Sequence, residues 1–240
     1  MIYIILFLGI TLIGVSYIVN ERNAKYLLSG YNTMSKEQQD AFDLRGYLQH
    51  LKRFQIFLGI SFTAIGSILY FVWGSDIAGV FIGVYPIAAY LYFLPTARRF
   101  FGNSKQMKFS LIVMVLSLVL VVGLFFVGFR EDPLVVTPEG IEVKGIYSES
   151  LTKDEIRSVA LVEKLPLISY RSNGIALSSI KKGYFKTKDG ETVKLILNAL
   201  NSPYVLITKT DGKKIFFSGK KSNEHVAAEL KHAFPEFYKE

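Results

Sequence analysis

Four stretches of the chain, residues 2–19, 54–73, 77–94 and 111–129, contain no Asp, Glu, Lys, Arg or His. Each approaches the ~20 residues that carry a helix across a hydrocarbon core about 30 Å thick. In lipid the backbone must satisfy its own hydrogen bonds, so runs of this length are expected to be helices. Tyr3, Tyr17, Tyr70, Trp73, Tyr90 and Tyr92 fall near the ends of the runs, where amphipathic rings settle among headgroups. The expectation is four transmembrane helices. Only Met1 precedes the apolar core of the first run, with no Lys or Arg, and no small-residue cleavage site follows Val19. That run is therefore read as a retained span and not a signal peptide.

Charge sets the orientation. The chain carries a net charge of +8, and much of it flanks the apolar runs. Arg22, Lys25, Lys36, Arg45, Lys52 and Arg53 lie in the loop at 20–53, and Arg98, Arg99, Lys105 and Lys108 in the loop at 95–110. The N-terminus and the short turn at 74–76 carry no basic side chain. The positive-inside rule puts both basic loops in the cytoplasm and the N-terminus, the short turn and everything after Phe129 outside. The same distribution argues against nucleic acid as a partner, because the excess charge is a topology signal. The chain has no Cys, which excludes disulfide scaffolds, thiolate metal sites and thiol catalysis.

Within the spans, Gly59, Thr63 and Ser67, and also Gly79 and Gly83, form small-xxx-small patterns that let helices approach closely. Pro86 is expected to kink the third span. In the first cytoplasmic loop, Ser35 and Gln38 read as a capping box. Ala41, Leu44, Leu48 and Leu51 then recur at helical spacing, predicting an amphipathic helix over about 36–52 that lies on the membrane surface.

After residues 130–133 the pattern changes to short alternating segments separated by turns. Strands are predicted at 134–137, 141–147, 156–163, 183–187, 192–200, 203–209 and 213–218. The punctuation is Pro138-Glu139-Gly140, Ser172-Asn173-Gly174, Asp189-Gly190 and Asp211-Gly212, where Gly accepts the positive φ of a hairpin turn. One helix follows at about 223–234, with Ser222 as its N-cap, Val226, Leu230, Ala233 and Phe234 as its apolar stripe, and Pro235 ending it. The expected division is a four-span transmembrane domain at 1–130 and a small all-β barrel, closed by one C-terminal α-helix, at 131–240.

Val136-Thr137-Pro138-Glu139-Gly140-Ile141, Asp154-Glu155-Ile156, Gly183-Tyr184-Phe185, Tyr204-Val205-Leu206-Ile207 and the terminal helix resemble the bacterial pleckstrin-homology-like domains of small membrane proteins. The stretch from Asn23 through Lys25, Tyr26, Gly30 and Tyr31 to Asn32 is similar to a bacterial multi-span membrane domain of unknown function. The resemblance implies a pleckstrin-homology-like barrel on a multi-pass protein of the bacterial cell membrane. Phosphoinositide binding is not expected, because the first hairpin carries Glu139 and Glu142 against Lys144 alone.

Chemistry is sparse. His225, Glu229 and His232 share one helix face, but no further ligand joins them and no metal site is assigned. His50 stands alone and is given no role. No phosphate-binding Gly-rich loop, His-Glu-x-x-His or Gly-x-Ser-x-Gly occurs, so no catalytic residue and no cofactor is expected. The candidate contact for a partner or an anion is the positive cluster Lys181, Lys182, Lys186 and Lys188. The expected function is a non-enzymatic membrane protein that presents an interaction module to a protein partner or envelope ligand, as sensor, scaffold or accessory subunit. The alternative is a transport-related subunit whose spans line a pathway.

Overall fold

A computed structural model describes residues 1–28, 30–101, 105–221 and 223–239. The chain divides into two compact units, Met1–Phe125 and Phe126–Glu240. In order, the helices are α1 (Ile2–Ile18), α2 (Ala24–Leu27), α3 (Lys36–Asp40), α4 (Leu44–Trp73), α5 (Ser75–Thr96), α6 (Arg98–Phe101) and α7 (Lys105–Phe129). Three of them, α4, α5 and α7, are long and apolar enough to cross a membrane. The expected fourth, α1, is apolar but has 17 residues. At 1.5 Å per residue it is about 25 Å long, short of a ~30 Å core. It ends where Asn20 and Asn23 turn their side-chain amides onto the Ile18 carbonyl, at 3.2 and 2.7 Å. Among the described residues there are therefore three helices long and apolar enough to span and one shorter apolar helix.

Helix packing here depends on missing side chains. Gly9 of α1 and Gly59 of α4 face each other, and a Cβ on Gly59 would stand 2.8 Å from the Gly9 carbonyl oxygen. Thr63 satisfies its hydroxyl by donating to Gly59 O at 2.8 Å, and that hydroxyl occupies the space a Cβ on Gly9 would need. A Cβ on Gly83 of α5 would meet the Phe125 ring of α7 at 2.9 Å. Gly59 and Gly83 thus mark real close approaches, as small residues do between helices in lipid, whereas a Cβ on Gly79 would meet only Met1 Cε at 3.9 Å. Helix α5 continues through Pro86 to Thr96.

The first loop departs from expectation. Ser35 and Gln38 do form the capping box, with Ser35 N donating to Gln38 Oε1 at 3.0 Å and Gln38 N to Ser35 Oγ at 3.3 Å. The helix they start stops at Asp40. Asp43 then caps a new helix by accepting from Gly46 N at 2.9 Å, and α4 runs unbroken for 30 residues to Trp73. The amphipathic helix expected at 36–52 is thus two pieces, the second continuous with a span. Its stripe, Leu44, Leu48 and Leu51, packs on Ala24, Leu28, Tyr47, Phe93 and Ala97, so protein covers it where membrane was expected to. Phe42 and Tyr47 each lie 4.9 Å from the ring of Phe101. At about 45 Å, α4 exceeds the hydrocarbon thickness by several turns.

The second unit contains β1 (Leu134–Thr137), β2 (Gly140–Val143), β3 (Glu149–Thr152), β4 (Ile156–Val162), β5 (Ile168–Leu177), β6 (Ile180–Thr187), β7 (Thr192–Leu197), β8 (Tyr204–Lys209), β9 (Lys214–Ser218), α8 (Asn223–Ala233) and β10 (Tyr238–Lys239). Strands β1, β2 and β3 make a small antiparallel sheet, and the rest form a seven-stranded sheet in the order β10-β4-β8-β9-β7-β6-β5. Two open sheets replace the expected closed barrel, because β5 and β10 remain as unpaired edges and β1–β3 pair only among themselves. Ser172-Asn173-Gly174, expected as a turn, lies inside β5 at a register shift. Gly174 there has φ +158° and pairs with Gly183, φ +121°, so the glycines serve a bulged, close strand pairing without a chain reversal.

One face of the large sheet buries Ile196, Val205, Ile207, Ile215 and Phe217 against Ile141, Val143 and Leu151 of the small sheet and Leu230 and Phe234 of the terminal helix segment. Helix α8 lies against β1, β4 and β8 and so covers a sheet face where a barrel plug was expected. Ser222, expected as its N-cap, lies outside the described residues. Next to it, Asn223 accepts from Gly219 N at 2.8 Å and donates to Asn201 O and Pro203 O. The opposite face of the sheet buries Phe185, Val193, Leu195, Leu197, Tyr204 and Phe216.

Candidate functional site

Strand β7 sits between β6 and β9 with both faces buried. A charged residue inside such a strand must find a partner. Register places Lys194 between Tyr184 of β6 and Ile215 of β9. On this face the small sheet supplies that partner. Lys194 Nζ bonds to the Glu149 carboxylate and donates to Ser148 O at 2.9 Å. The second Glu149 oxygen accepts from Lys209 Nζ at 3.0 Å. One carboxylate from β3 thus joins two lysines from β7 and β8.

Around this triad opens a cleft of about 500 Å³. Its rim adds Lys214 paired with Glu191, and Lys213 paired with Asp211, each at 2.9 Å. Tyr184 forms a wall, its ring centroid 5.5 Å from Lys194 Nζ. Four lysines face three carboxylates among the lining residues, leaving one positive charge in excess. Burial pushes the Glu149 carboxyl up, but hydrogen bonds and charge from Lys194 and Lys209 more than reverse this and hold it below the ordinary carboxylate value. The hydrogen bond to Glu149, helped by its charge, raises Lys209 above the ordinary lysine value. Both remain ionised through neutral pH. Each carboxylate is already ion-paired, so the cleft offers spare ammonium donors to an anionic group and sets up no carboxylate pair for proton transfer.

The four lysines expected as a contact patch are not brought together. Lys182 is 1 % exposed. It bonds to the Arg130 carbonyl and lies 3.3 Å from Asp132 Oδ1. Neighbours in a strand face opposite ways, and Lys182 occupies the inward side. Burial lowers its ammonium below the ordinary lysine value, partly offset by Asp132. Lys181 is the second residue of β6 and is half-buried, whereas Lys188 is exposed beyond the end of the strand, roughly 20 Å away along it. Lys186 donates to Gly190 O at 2.8 Å in the following turn. On α8, His225 Nδ1 meets Glu229 at 3.4 Å in solvent, and among the described residues no three His, Asp or Glu gather as a metal site.

Sequence reading missed Glu149, Lys194 and Lys209. The available signal was Lys194 itself, a charge inside the apolar alternation of 193–197. A family model described as a domain of unknown function, DUF3784, matches residues 6–129. No curated protein and no solved structure matches the chain.

Proposed function

The chain belongs to the DUF3784 family, and on that premise we propose that it is a non-enzymatic, multi-pass membrane protein whose β unit is an interaction module. It acts as sensor, scaffold or accessory subunit for an acidic partner. The observation that carries this reading is the lysine-rich cleft, with its aromatic wall and locked carboxylates. Short strands, antiparallel except where β9 runs parallel to β7 and β10 to β4, followed by one amphipathic helix support kinship with pleckstrin-homology-like modules, in an opened and rearranged form.

Sidedness follows from charge and connectivity. With the loop at 20–53 cytoplasmic, α4 crosses outward, α5 returns and α7 crosses outward again. The β unit is therefore extracytoplasmic whether or not α1 also spans. Polar groups on α4 and α5 engage one another, Gln55 with the Tyr90 hydroxyl and Tyr85 with Ser61 at 2.7 Å. This favours helix packing over a transport pathway.

The test places a photo-crosslinking benzoylphenylalanine at Tyr184 in the full chain in intact cells, with the same residue at His225 as control. A discrete adduct from position 184, weakened in a K213Q/K214Q background, is the expected result. No adduct, or identical adducts from both positions, overturns the reading. Single-cysteine variants D211C and K36C, in a chain otherwise free of Cys, report sidedness with an impermeant maleimide. Only D211C should label in intact cells.

A further inference from the structure

A second concavity, of about 510 Å³, belongs to the helical unit. Asp43, Gln49, His50 and Arg53 of the α4 segment line it, together with Arg99 and Phe100 of α6. On a helix, residues three and four apart share a face, so Gln49 and Arg53 present one surface and His50 sits beside them. Helices α4 and α5 form a hairpin through Gly74. Arg53 directly precedes the apolar run of the first arm, and Arg99 follows the end of the second by three residues. Both guanidiniums therefore stand at one end of the hairpin, where apolar sequence gives way to polar. That is the depth of lipid headgroups.

The concavity carries a net positive charge, two guanidiniums against one carboxylate. Arg45, one helical turn before Gln49, has a carboxylate partner, Glu21 at 3.1 Å. Arg53 and Arg99 have none among the described residues. The lining carboxylate, Asp43, already accepts from Gly46 N as the cap of α4. Arg99 lies over the Phe100 ring at 4.6 Å, which orients its planar fork.

His50 is held in place. Its ring stacks on Phe93 at 5.2 Å. Thr96 donates its single hydroxyl proton to Phe93 O at 2.7 Å, so its 2.9 Å contact with His50 Nε2 has the imidazole as donor. The proton is thus fixed on Nε2, and Nδ1 is left as the ring's remaining polar atom.

Two arginine forks match the oxygens of a phosphate group, which arginine binds bidentately, and His50 Nδ1 is left to accept from a hydroxyl of the esterified alcohol. The volume exceeds what one phosphate fills and lies in the range of small-molecule sites. We infer that this concavity binds a phosphoester, with Arg53 and Arg99 on its phosphate oxygens and His50 Nδ1 and Gln49 as hydrogen-bond partners of the hydroxyl groups on its alcohol. The source is either a glycerophospholipid headgroup at the membrane surface or a soluble phosphoester reaching the site from water.

The test uses the full chain, delipidated in detergent, and native mass spectrometry. Phosphatidylglycerol is the lipid probe, diacylglycerol its phosphate-free control, and glycerol phosphate the soluble competitor. The expected result is one phosphatidylglycerol retained per chain and no diacylglycerol. Affinity in R53Q/R99Q should fall by at least about tenfold, the size expected for losing charge-assisted hydrogen bonds. R53K/R99K keeps charge and helix propensity but lacks the forks, and should fall by about threefold or more. K25Q/K36Q removes as much charge from elsewhere in the loop and should bind as the parent does. Displacement of the lipid by equimolar glycerol phosphate supports the inference with the soluble source; persistence supports it with the lipid source. Unchanged binding in R53Q/R99Q, or equal loss in K25Q/K36Q, overturns it.

Discussion

Where α1 crosses α4 the contact is made by glycines, Gly9 and Gly59. Where the small sheet of the β unit and the segment leading into it meet the large sheet, full charges are joined, Lys182 with Asp132 and Lys194 with Glu149. Lipid and water reward different contacts. Lipid tails are as apolar as the helices, so association gains little from hiding apolar surface and depends on close backbone approach and hydroxyl bonds. In water, apolar burial supplies the driving force. The β unit can then keep costly buried charges, which fix the register of one sheet on the other while adding little net stability.

That contrast can be broken from either side. Lys182→Met should have the largest effect, because it strands the Asp132 carboxylate in the core, where one oxygen already lacks a hydrogen-bond partner among the described residues. A loss of about 3–5 kcal/mol is expected, measured by chemical denaturation of the full chain with circular dichroism of the strands. Adding Asp132→Val should recover most of it, since an apolar pair carries no desolvation cost.

Glu149→Gln should cost less, about 2–3 kcal/mol, because the triad is partly solvated. This variant also tests pH dependence. The folded carboxyl lies below its ordinary value of 4.5, so its contribution is complete above that value and is lost as pH falls through the lowered folded value. Acid titration of the parent should show that limb, and E149Q should flatten it.

Gly59→Val should weaken the α1–α4 crossing by about 1–2 kcal/mol through overpacking, read as a lower detergent concentration for unfolding in a sodium dodecyl sulfate titration. Its effect should not extend to the β unit. Arg45→Gln breaks an ion pair exposed on both sides and should change stability by less than about 0.5 kcal/mol in the same titration.

Features encoded locally were legible in the sequence. Uncharged runs, Asp-Gly turns, the Ser35–Gln38 box and the stripe residues Val226, Leu230 and Phe234 each depend on neighbours a few residues away, although Ala227 is buried where Ala233 was expected to be. Long-range features were not. Leu44, Leu48 and Leu51 show a stripe, but only the aromatic rings of Phe42, Phe93 and Phe101 decide that protein covers it. Lys182 reads as a surface lysine until β1–β3 are laid across β6 and β7. Gly174 reads as a turn, because the sequence shows its freedom of φ and not the strand opposite. The cleft was invisible for the same reason: Glu149, Lys194 and Lys209 lie in three strands, up to 60 residues apart.

The way residues 129–132 are held bears on how the protein is made. Phe129 O accepts from Lys220 Nζ, Glu131 from Lys220 N, and Asn198 clasps both backbone groups of Asp132. The partners lie 66 to 91 residues downstream. Loop closure over such spans is slow and cannot begin until the distant residues exist. The first strands of the β unit therefore leave the ribosome without the contacts that will fix them, and nearly the whole unit must be synthesised before it can lock. In the topology proposed above, where the β unit crosses the membrane, it would gain from that delay by staying unfolded and threadable until its last helix has followed it through.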